Sequence, residues 1–371
     1  MPPVRPVTLR DIARRLGLSV TTVSRALAGY SDVAPDTRAR VQQAARDMGY
    51  RPHAWARRLR RQRTDTLGFI IPTHGPRFAD PFFSELLAGI GNEAARHEYD
   101  LLVSTRGPGA DELAAYERMV AERRVDGFLL VRTRRDDARV RFLLARGVPF
   151  VAFGRTQVPG DFPWVDVDGE AGLYALTRMC IRAGHRRIGF INAPDTLMYA
   201  QHRLVGYRRA LAEANIPFDP ALVHTGDLTE QGGYAAAQAL LALRPRPTAL
   251  LAANDLMALG VLTAVREAGL QVGREVAVAG FDDIPLAAHA QPPLTTVHQP
   301  IYDIGRRITA MLIARLQDPH AAPAHLLLTP RVVVRASCPA PAGASSSDPA
   351  AASRRTVTPV SASIPLEGGK P

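Results

Sequence analysis

The sequence is poor in cysteine and lysine, and it contains no long uninterrupted apolar run. Only two cysteines, Cys180 and Cys338, occur among 371 residues and they lie far apart, so we expect no disulfide framework. No cysteine and histidine cluster has the spacing of a zinc site, and we expect neither a metal nor a cofactor. No stretch approaches the roughly 18 apolar residues of a membrane span. The opening residues lack the apolar core of a secretory signal, which predicts a cytoplasmic protein with no membrane partner.

The positive charge of the chain is concentrated near its start. Lysine is nearly absent, so the net charge of +11 comes almost entirely from arginine. Residues 1–64 hold fourteen arginines and four acids, which leaves the other residues a sum of about +1. An arginine-rich genome alone would not concentrate the excess in one sixth of the chain. The distribution predicts a small basic module that binds phosphates, attached to a nearly neutral body.

The pattern of apolar residues divides the chain into a head, a connector, a body and a tail. Residues 1–50 predict a small all-α head, and residues 51–64 form a basic connector. Residues 65–338 alternate strand-like runs with helical periods, which predicts a two-lobed α/β body of doubly wound parallel sheets. Residues 339–371 are rich in Ala, Ser and Pro and predict a disordered tail.

Local signals predict three short helices in the head. Thr8 is a good N-cap for the first helix, and Gly17 ends it. Ser19 caps a second helix that runs from Val20 to Ala28, and Pro35 suits the first position of a third helix. Two short helices joined by a tight glycine turn are typical of a helix-turn-helix. An ordinary helical bundle remains the alternative at this point.

The second helix presents different residues to its two faces. At 100° per residue, Val23, Ala26 and Leu27 face inward. Thr21, Ser24 and Arg25 point outward, and Val20 lies at the flank of the first turn. In a helix-turn-helix the N-terminal residues of this helix enter the major groove, where Arg25 is suited to pair with guanine.

Two long segments resemble the lac repressor family. They read VTLRDIARRLGLSVTTVSRALAG and VAPDTRARVQQAARDMGYRPHAWARRLRRQRTDTLGFIIP. The resemblance implies that Val20, Thr21 and Arg25 contact bases and that Ser24 contacts a phosphate, and we include Thr8 among the DNA contacts. It also implies a hinge helix within residues 53–60 whose Leu59, with Ala56, enters the minor groove and kinks the duplex. Ala34 departs from the family, since many members have a capping serine there.

The resemblance continues through the body to about residue 336, where the strings ANDLMALG and GFDD are specific to the family. It implies a body similar to periplasmic sugar-binding proteins, with a ligand between two lobes. The expected lobes are about 65–165 with 297–322, and about 166–296 with 323–338. Carried over by position, the ligand-binding residues are Phe82, Phe83, Asp168, Arg203, Asn254 and Asp282.

Structural roles remain open for several of these residues. Asn254 and Asp282 are also suited to cap a helix or loop, and Arg203 to be a lone surface charge. One of Phe82 and Phe83 is expected in the core. Asp168 is the weakest of the six.

The sequence therefore predicts a regulator that binds double-stranded operator DNA as a homodimer and is released by a small sugar. Similarity to some members favours an α-glucoside or maltose-type sugar. A transport-type sugar-binding protein without DNA function and a ligand-activated co-repressor remain alternatives. We find no convergent acid and base pair, so an enzyme is not expected.

Overall fold

The computed structural model describes residues 7–50, 63–73 and 80–339. Its head contains α1 (Leu9–Leu16), α2 (Val20–Leu27) and α3 (Pro35–Asp47). The backbone N–H of Thr8 donates to the Asp11 carboxylate at 2.9 Å, which fixes the start of α1. Gly17 ends the helix in the left-handed region at φ 66°. The predicted three-helix head is confirmed, with each helix beginning at the expected residue.

One small core holds the three helices of the head together. Ile12, Val23 and Val41, one from each helix, are completely buried. Leu27, predicted to face inward, is only partly buried against this core. The head therefore has a single apolar centre, and the outer face of α2 remains at the surface.

The connector between head and body lies largely outside the described residues. The predicted hinge positions Ala56 and Leu59 fall within residues 51–62, which are not described, and residues 340–371 of the predicted tail are not described either. At the body end of the connector, the Asp126 carboxylate accepts from the backbone N–H groups of Thr64 and Asp65 at 2.6 and 2.9 Å. This contact fixes where the connector meets the body.

The described body consists of nine helices and twelve strands. The helices are α4 (Pro81–Arg96), α5 (Ala110–Ala121), α6 (Ala138–Ala145), α7 (Gly169–Arg182), α8 (Met198–Glu213), α9 (Glu230–Ala242), α10 (Asp255–Glu267), α11 (Pro285–His289) and α12 (Ile301–Gln317). The strands are β1 (Thr66–Pro72), β2 (Asp100–Arg106), β3 (Gly127–Leu130), β4 (Phe150–Phe153), β5 (Trp164–Val167), β6 (Ile188–Asn192), β7 (Val223–Thr225), β8 (Ala249–Ala252), β9 (Ala277–Ala279), β10 (Thr296–His298), β11 (His325–Leu328) and β12 (Arg331–Val333).

Lobe 1 is a six-stranded parallel sheet with helices on both faces. The strand order is β11-β5-β4-β3-β1-β2. Successive side chains of β1 point to opposite faces, so Phe69 packs with α4 and α12 while Ile70 packs with α5 and α6. Both faces are apolar because both are covered, as expected for a doubly wound sheet.

Lobe 2 is built around the four-stranded parallel sheet β7-β6-β8-β9. The antiparallel pair β10 and β12 lies beside it, linked by a bridge between Ala279 and Thr295. Cys180 and Cys338 meet in this lobe as free thiols, with their sulfur atoms 3.6 Å apart and buried. The predicted α/β body with two parallel sheets is confirmed.

The predicted division between the lobes needs one correction. The strand β5 ends at Val167 in the lobe 1 sheet, close to the expected boundary at about residue 165. The strand β11 pairs in parallel with β5 and therefore belongs to lobe 1, although residues 323–338 were assigned to lobe 2. Only the segment from β12 onward returns to lobe 2. The chain thus crosses between the lobes three times, after β5, β10 and β11.

Candidate functional site

The outer face of α2 carries the residues predicted to meet DNA. Val20 is 41% exposed, and Thr21 and Arg25 are also exposed, whereas Ser24 is half-buried. Ser19 holds the start of the helix, since its hydroxyl accepts from the Thr22 backbone N–H at 3.0 Å. The exposed residues follow directly from the burial of Val23 and Ala26 on the other face. Thr8 is half-buried at the start of α1 and bonds to Asp11.

Arg25 has partners within the head that the sequence did not indicate. Its guanidinium forms an ion pair with Asp32 and lies 4.8 Å from the centre of the Tyr30 ring. The side chains of the pair are 44% and 52% exposed. An exposed ion pair contributes little because water screens it. The guanidinium can therefore exchange Asp32 for a stronger bidentate acceptor.

A cavity lies between the two lobes, at the carboxyl ends of the parallel strands. Both lobes contribute side chains to its wall. The polar groups of the wall include Asp80, Arg132, Asp166, Arg203, Asn254, Asp282 and Gln299. Its mixture of aromatic and polar groups is typical of a small-molecule site.

Four of the six predicted ligand-binding residues line this cavity. They are Phe82, Arg203, Asn254 and Asp282. Phe83 does not line it, because α4 turns this ring into the lobe 1 core. Asp168 does not line it either, since its carboxylate accepts from the Ala171 backbone N–H at 2.9 Å and caps α7. For these two residues the predicted ligand role is corrected to a structural one.

Arg203 is a buried cation with an unfilled donor. It lies on α8, and its guanidinium is 3.7 Å from the Phe281 ring centre and 4.5 Å from that of Tyr199. Nη1 donates to the Ala253 carbonyl, whereas Nε has no hydrogen-bond partner among the described residues. Burial lowers the pKa of Arg203 and the Asp282 charge opposes this, yet a guanidinium stays protonated. A buried donor without a partner is costly, so an oxygen-bearing ligand is favoured here.

Asp282 is a buried acid held in an unusual backbone conformation. Its φ of 130° is one that residues other than glycine rarely adopt. Burial raises the pKa of its carboxyl well above the ordinary value; Arg203 lowers it, and Asp255 and Asp80 raise it further. Gln299 donates to the carboxylate through Nε2 at 2.6 Å. Hydroxyl groups of a ligand that donate to the Asp282 carboxyl would replace part of the hydration that this carboxyl loses on burial.

Asn254 has a structural role as well as a place in the cavity wall. Its side-chain oxygen accepts from the Met257 backbone N–H at 3.1 Å and caps α10. Its amide nitrogen donates to the Leu228 carbonyl at 3.2 Å. One amide hydrogen therefore remains for a ligand.

The cavity contains residues that the sequence did not indicate. Arg132 follows β3 at a φ of 49° and pairs with Asp80 at 2.8 Å. The rings of Phe82 and Phe153 stack with centres 6.1 Å apart and give the wall an apolar face. Gln299 and Tyr199 complete it, and burial raises the pKa of Tyr199 to about 12. Most of these positions lie where a strand ends or a helix starts, and this placement is the one sequence signal that could have identified them.

Across 7–50, 63–73 and 80–339, no cluster of three His, Cys, Asp or Glu side chains is arranged to hold a metal ion. The helices of the same residues are all too short or too polar to span a bilayer.

Two family models match the chain. The model for bacterial regulatory proteins of the lacI family matches residues 8–53. The model for a periplasmic binding protein-like domain matches residues 177–338. The first match covers the three-helix head, and the second covers most of lobe 2 with the returning segments.

Curated proteins of similar length also match. The HTH-type transcriptional regulator AglR of Rhizobium meliloti is 38% identical over 341 residues, covering 91% of this chain and 96% of the relative. The HTH-type transcriptional repressor CytR of Escherichia coli K12 is 33% identical over 332 residues, covering 89% and 96%.

Solved structures with the same organisation match as well. The transcriptional regulator CelR in complex with cellobiose has a TM-score of 0.70 at 36% identity, covering 90% of this chain and all of that one. The lac repressor dimer bound to operator and the anti-inducer ONPF has a TM-score of 0.78 at 27% identity, covering 91% and 100%.

Proposed function

The chain belongs to the lacI family of bacterial regulatory proteins, and we propose that it represses transcription until a small sugar fills the cavity between its lobes. It is a DNA-binding transcriptional regulator. One observation carries the proposal. The same chain contains the helix α2 with an exposed outer face and a cavity lined by Arg203, whose Nε has no hydrogen-bond partner among the described residues. Sugar binding and DNA binding are then coupled, and each must weaken the other to the same extent.

The DNA side of the proposal rests on α2 and on the charge of the head. Val20, Thr21 and Arg25 are assigned to base contacts and Ser24 to a phosphate. Leu59 and Ala56 of the hinge and Thr8 of α1 complete the proposed interface. A homodimer places two such heads on a palindromic operator, since the two-fold axes of protein and DNA then coincide. The similar lac repressor structure is a dimer bound to operator.

The sugar side rests on the cavity wall. Arg203, Asn254 and Asp282 offer fixed donors and acceptors for hydroxyl groups, and Phe82 with Phe153 offers an apolar face. An α-glucoside or maltose-type sugar is our proposed effector. The similar CelR structure contains cellobiose, so the β-linked disaccharide is the natural comparison.

We also propose that the chain is not an enzyme and acts in the cytoplasm. Asp166 and Asp168 are two residues apart, a spacing that on a strand would place both carboxylates on one face. Asp166 accepts from Arg155 Nε at 2.8 Å, and Asp168 caps α7. Both carboxylates therefore have structural partners, which supports binding without turnover.

The DNA-binding test uses the full chain and palindromic duplexes selected from a random pool. We expect a preference for a two-fold-symmetric site over random DNA, measured by fluorescence anisotropy. Arg25→Ala should relax sequence choice at one position of each half-site, at about 1–3 kcal/mol of discrimination. Equal affinity for all duplexes would contradict the proposal.

The sugar test is a thermal-shift screen with maltose, other α-glucosides and cellobiose, repeated with the operator present. We expect one of them to raise the melting temperature and to lower operator affinity. Asp282→Ala should lose this response while DNA binding persists. Asp195→Ala, at an exposed acid on the same lobe, is the matched control and should respond normally. A sugar that strengthens operator binding would instead identify a co-repressor-type regulator.

A further inference from the structure

The two lobes form a short backbone pairing beside the cavity. The Met198 N–H of lobe 2 donates to the Thr133 carbonyl of lobe 1 at 2.9 Å. The Arg135 N–H of lobe 1 donates to the Thr196 carbonyl of lobe 2, also at 2.9 Å. Arg134 and Leu197 lie opposite each other in this antiparallel bridge. The contact uses main-chain atoms only, so its formation depends on where the two segments are held.

The lobe 2 side of the pairing is the start of α8, the helix that carries Arg203 and Tyr199. Its N-cap residue is Leu197, which has no side-chain oxygen to accept from the first turn. The N–H groups of a first helical turn need partners from outside the helix. For Met198, the first residue of α8, that partner is the Thr133 carbonyl of the other lobe. The start of the ligand-binding helix is thus completed across the cleft.

The lobe 1 side is held in place by a buried arginine, Arg139 on α6. All five of its N–H donors are filled. They reach both Asp137 oxygens, Glu112 Oε1 and the carbonyls of Val131 and Arg132, at 2.7 to 3.2 Å. Arg139, Glu112 and Asp137 are all buried. Burial opposes the charged form of Asp137, but the Arg139 hydrogen bonds outweigh it and lower the pKa of this carboxyl.

The Arg139 cluster controls the direction of the backbone before Thr133. Arg132 has a φ of 49°, a strained conformation that needs support from its surroundings. Arg139 supplies this support through the two carbonyls that flank the strained position. The Asp137 carboxylate also accepts from the Arg134 N–H at 2.9 Å. These bonds lie within lobe 1, so the loop keeps its shape when the lobes separate.

We propose that Thr133 is a positioning residue of the effector site: its carbonyl caps α8 from the opposite lobe, and Arg139 holds it ready to do so. Closure of the cleft then orders the start of the helix that carries Arg203. Opening exposes the Met198 N–H and weakens the hold on that helix. This inference rests on the proposed function only in taking the cavity as the effector site.

The test compares Met198→Pro with Met198→Ala in the full chain. Both variants remove the methionine side chain, but only proline removes the N–H that reaches Thr133. Proline is well tolerated at the first helical position, and Leu197 at φ −80° and ψ 133° has the conformation required before proline. Unchanged hydrogen exchange in the interior of α8 serves as the check that both variants fold.

The first readout is hydrogen exchange at single residues, without any sugar. We expect the Arg135 amide to exchange about two- to tenfold faster in Met198→Pro than in Met198→Ala, the effect of one lost hydrogen bond. The Arg134 amide, bonded within lobe 1, should be unchanged. Equal Arg135 exchange in the two variants would overturn the proposal. Faster exchange at Arg134 as well would overturn the claim that lobe 1 holds the loop by itself.

The second readout is the affinity for maltose and cellobiose. We expect Met198→Pro to bind the effective sugar about two- to tenfold more weakly than Met198→Ala. Equal sugar affinity would overturn the coupling of the cap to ligand binding. If neither sugar binds even the wild type, the proposed effector is wrong, and the exchange measurement still decides the cross-cleft cap.

Discussion

Asp255 is a buried acid at the first residue of α10, next to the cavity residue Asn254. Its Oδ1 accepts from the Thr296 hydroxyl at 2.5 Å, and its Oδ2 accepts from the Ile284 backbone N–H at 2.9 Å. Burial is the largest influence and raises the pKa of Asp255 to about 6, although these hydrogen bonds lower it. The side chain is thus protonated over a pH range in which an exposed aspartate is charged.

The raised pKa of Asp255 has a defined effect on stability. Its ordinary value is 3.8, so between pH 3.8 and about 6 the folded chain holds a proton that the unfolded chain has released. The resulting stabilisation is complete below pH 3.8 and is lost as pH rises through about 6. Asp255→Asn removes this dependence. From pH 4 to pH 7.5, we expect its free energy of unfolding to rise relative to wild type by roughly 2–3 kcal/mol.

Calorimetric or urea unfolding of the body at several pH values checks this prediction. The comparison with wild type cancels the contributions of acids that do not interact with Asp255, whereas Asp282, whose pKa Asp255 raises, contributes to the same difference. A constant offset is expected from the new amide group, so only the change with pH is diagnostic. Parallel profiles for the two proteins would mean that Asp255 is charged in the folded chain at pH 5.

The roles of side chains were predictable where the sequence matches a specific motif of the family, and they were less predictable elsewhere. Arg203, Asn254 and Asp282 line the cavity as the family motif implies. Phe82 and Phe83 are adjacent, and only the rotation of α4 decides which ring faces the cavity. Asp168 differs from Asp166 by two positions, but β5 ends between them and turns Asp168 into a cap. Such outcomes depend on where an element ends, which residue types alone do not fix.

Helices with clear caps were predictable nearly to the residue, whereas short strands were not. Thr8, Ser19 and Pro35 mark the starts of α1, α2 and α3 in both the sequence and the structure. The strands β7, β10 and β12 have three residues each, too few to show a two-residue alternation. Their pairing is decided by residues distant in the chain, as for β10 with β12.

The start of α3 offers a direct test of capping. Ala34 is its N-cap residue and provides no side-chain hydrogen bond, in contrast to Ser19 at the start of α2. A hydroxyl at position 34 can accept from the first-turn N–H groups. We expect Ala34→Ser to stabilise the head by about 1 kcal/mol and Ser19→Ala to destabilise it by a similar amount.

Hydrogen exchange of the α1 to α3 amides in the full chain measures both effects. Exchange in the head should slow about fivefold in Ala34→Ser and accelerate in Ser19→Ala. Amides of the body serve as the internal control and should be unaffected. A head that is no more protected in Ala34→Ser would show that the Arg38 bonds to the Tyr30 and Val33 carbonyls already fix this turn.

Over the full length of the chain, the class of fold was predictable but the path between lobes was only partly so. Alternating strands and helices indicated two parallel sheets, and the crossing after β10 was anticipated from the family resemblance. The return of β11 to the lobe 1 sheet was not anticipated. This strand reads HLLL and lies at the sheet edge, where its residues alternate between exposed and partly buried, so the three leucines alone do not show which sheet it joins.

The uneven charge of the chain predicts different salt responses for its two activities. Residues 1–64 carry a charge of about +10, from fourteen arginines and four acids. Displaced counterions make operator affinity fall by about 10³ to 10⁵ between 50 and 200 mM salt for roughly six to ten phosphate contacts. Binding of an uncharged sugar to the nearly neutral body should be unaffected. Anisotropy and calorimetric titrations at both salt concentrations compare the two, and salt-independent operator binding would contradict the assignment of the head.

The three crossings between the lobes have a consequence for how the body comes apart. A protease that cuts the backbone at one crossing leaves two covalent connections between the lobes. The nicked body would separate into fragments only in denaturant, while in buffer it would elute as one particle. Three connections also allow the lobes to close toward each other by hinge bending far more readily than to rotate about the axis that joins them. The motion available to the effector site is therefore mainly an opening and closing of the cleft.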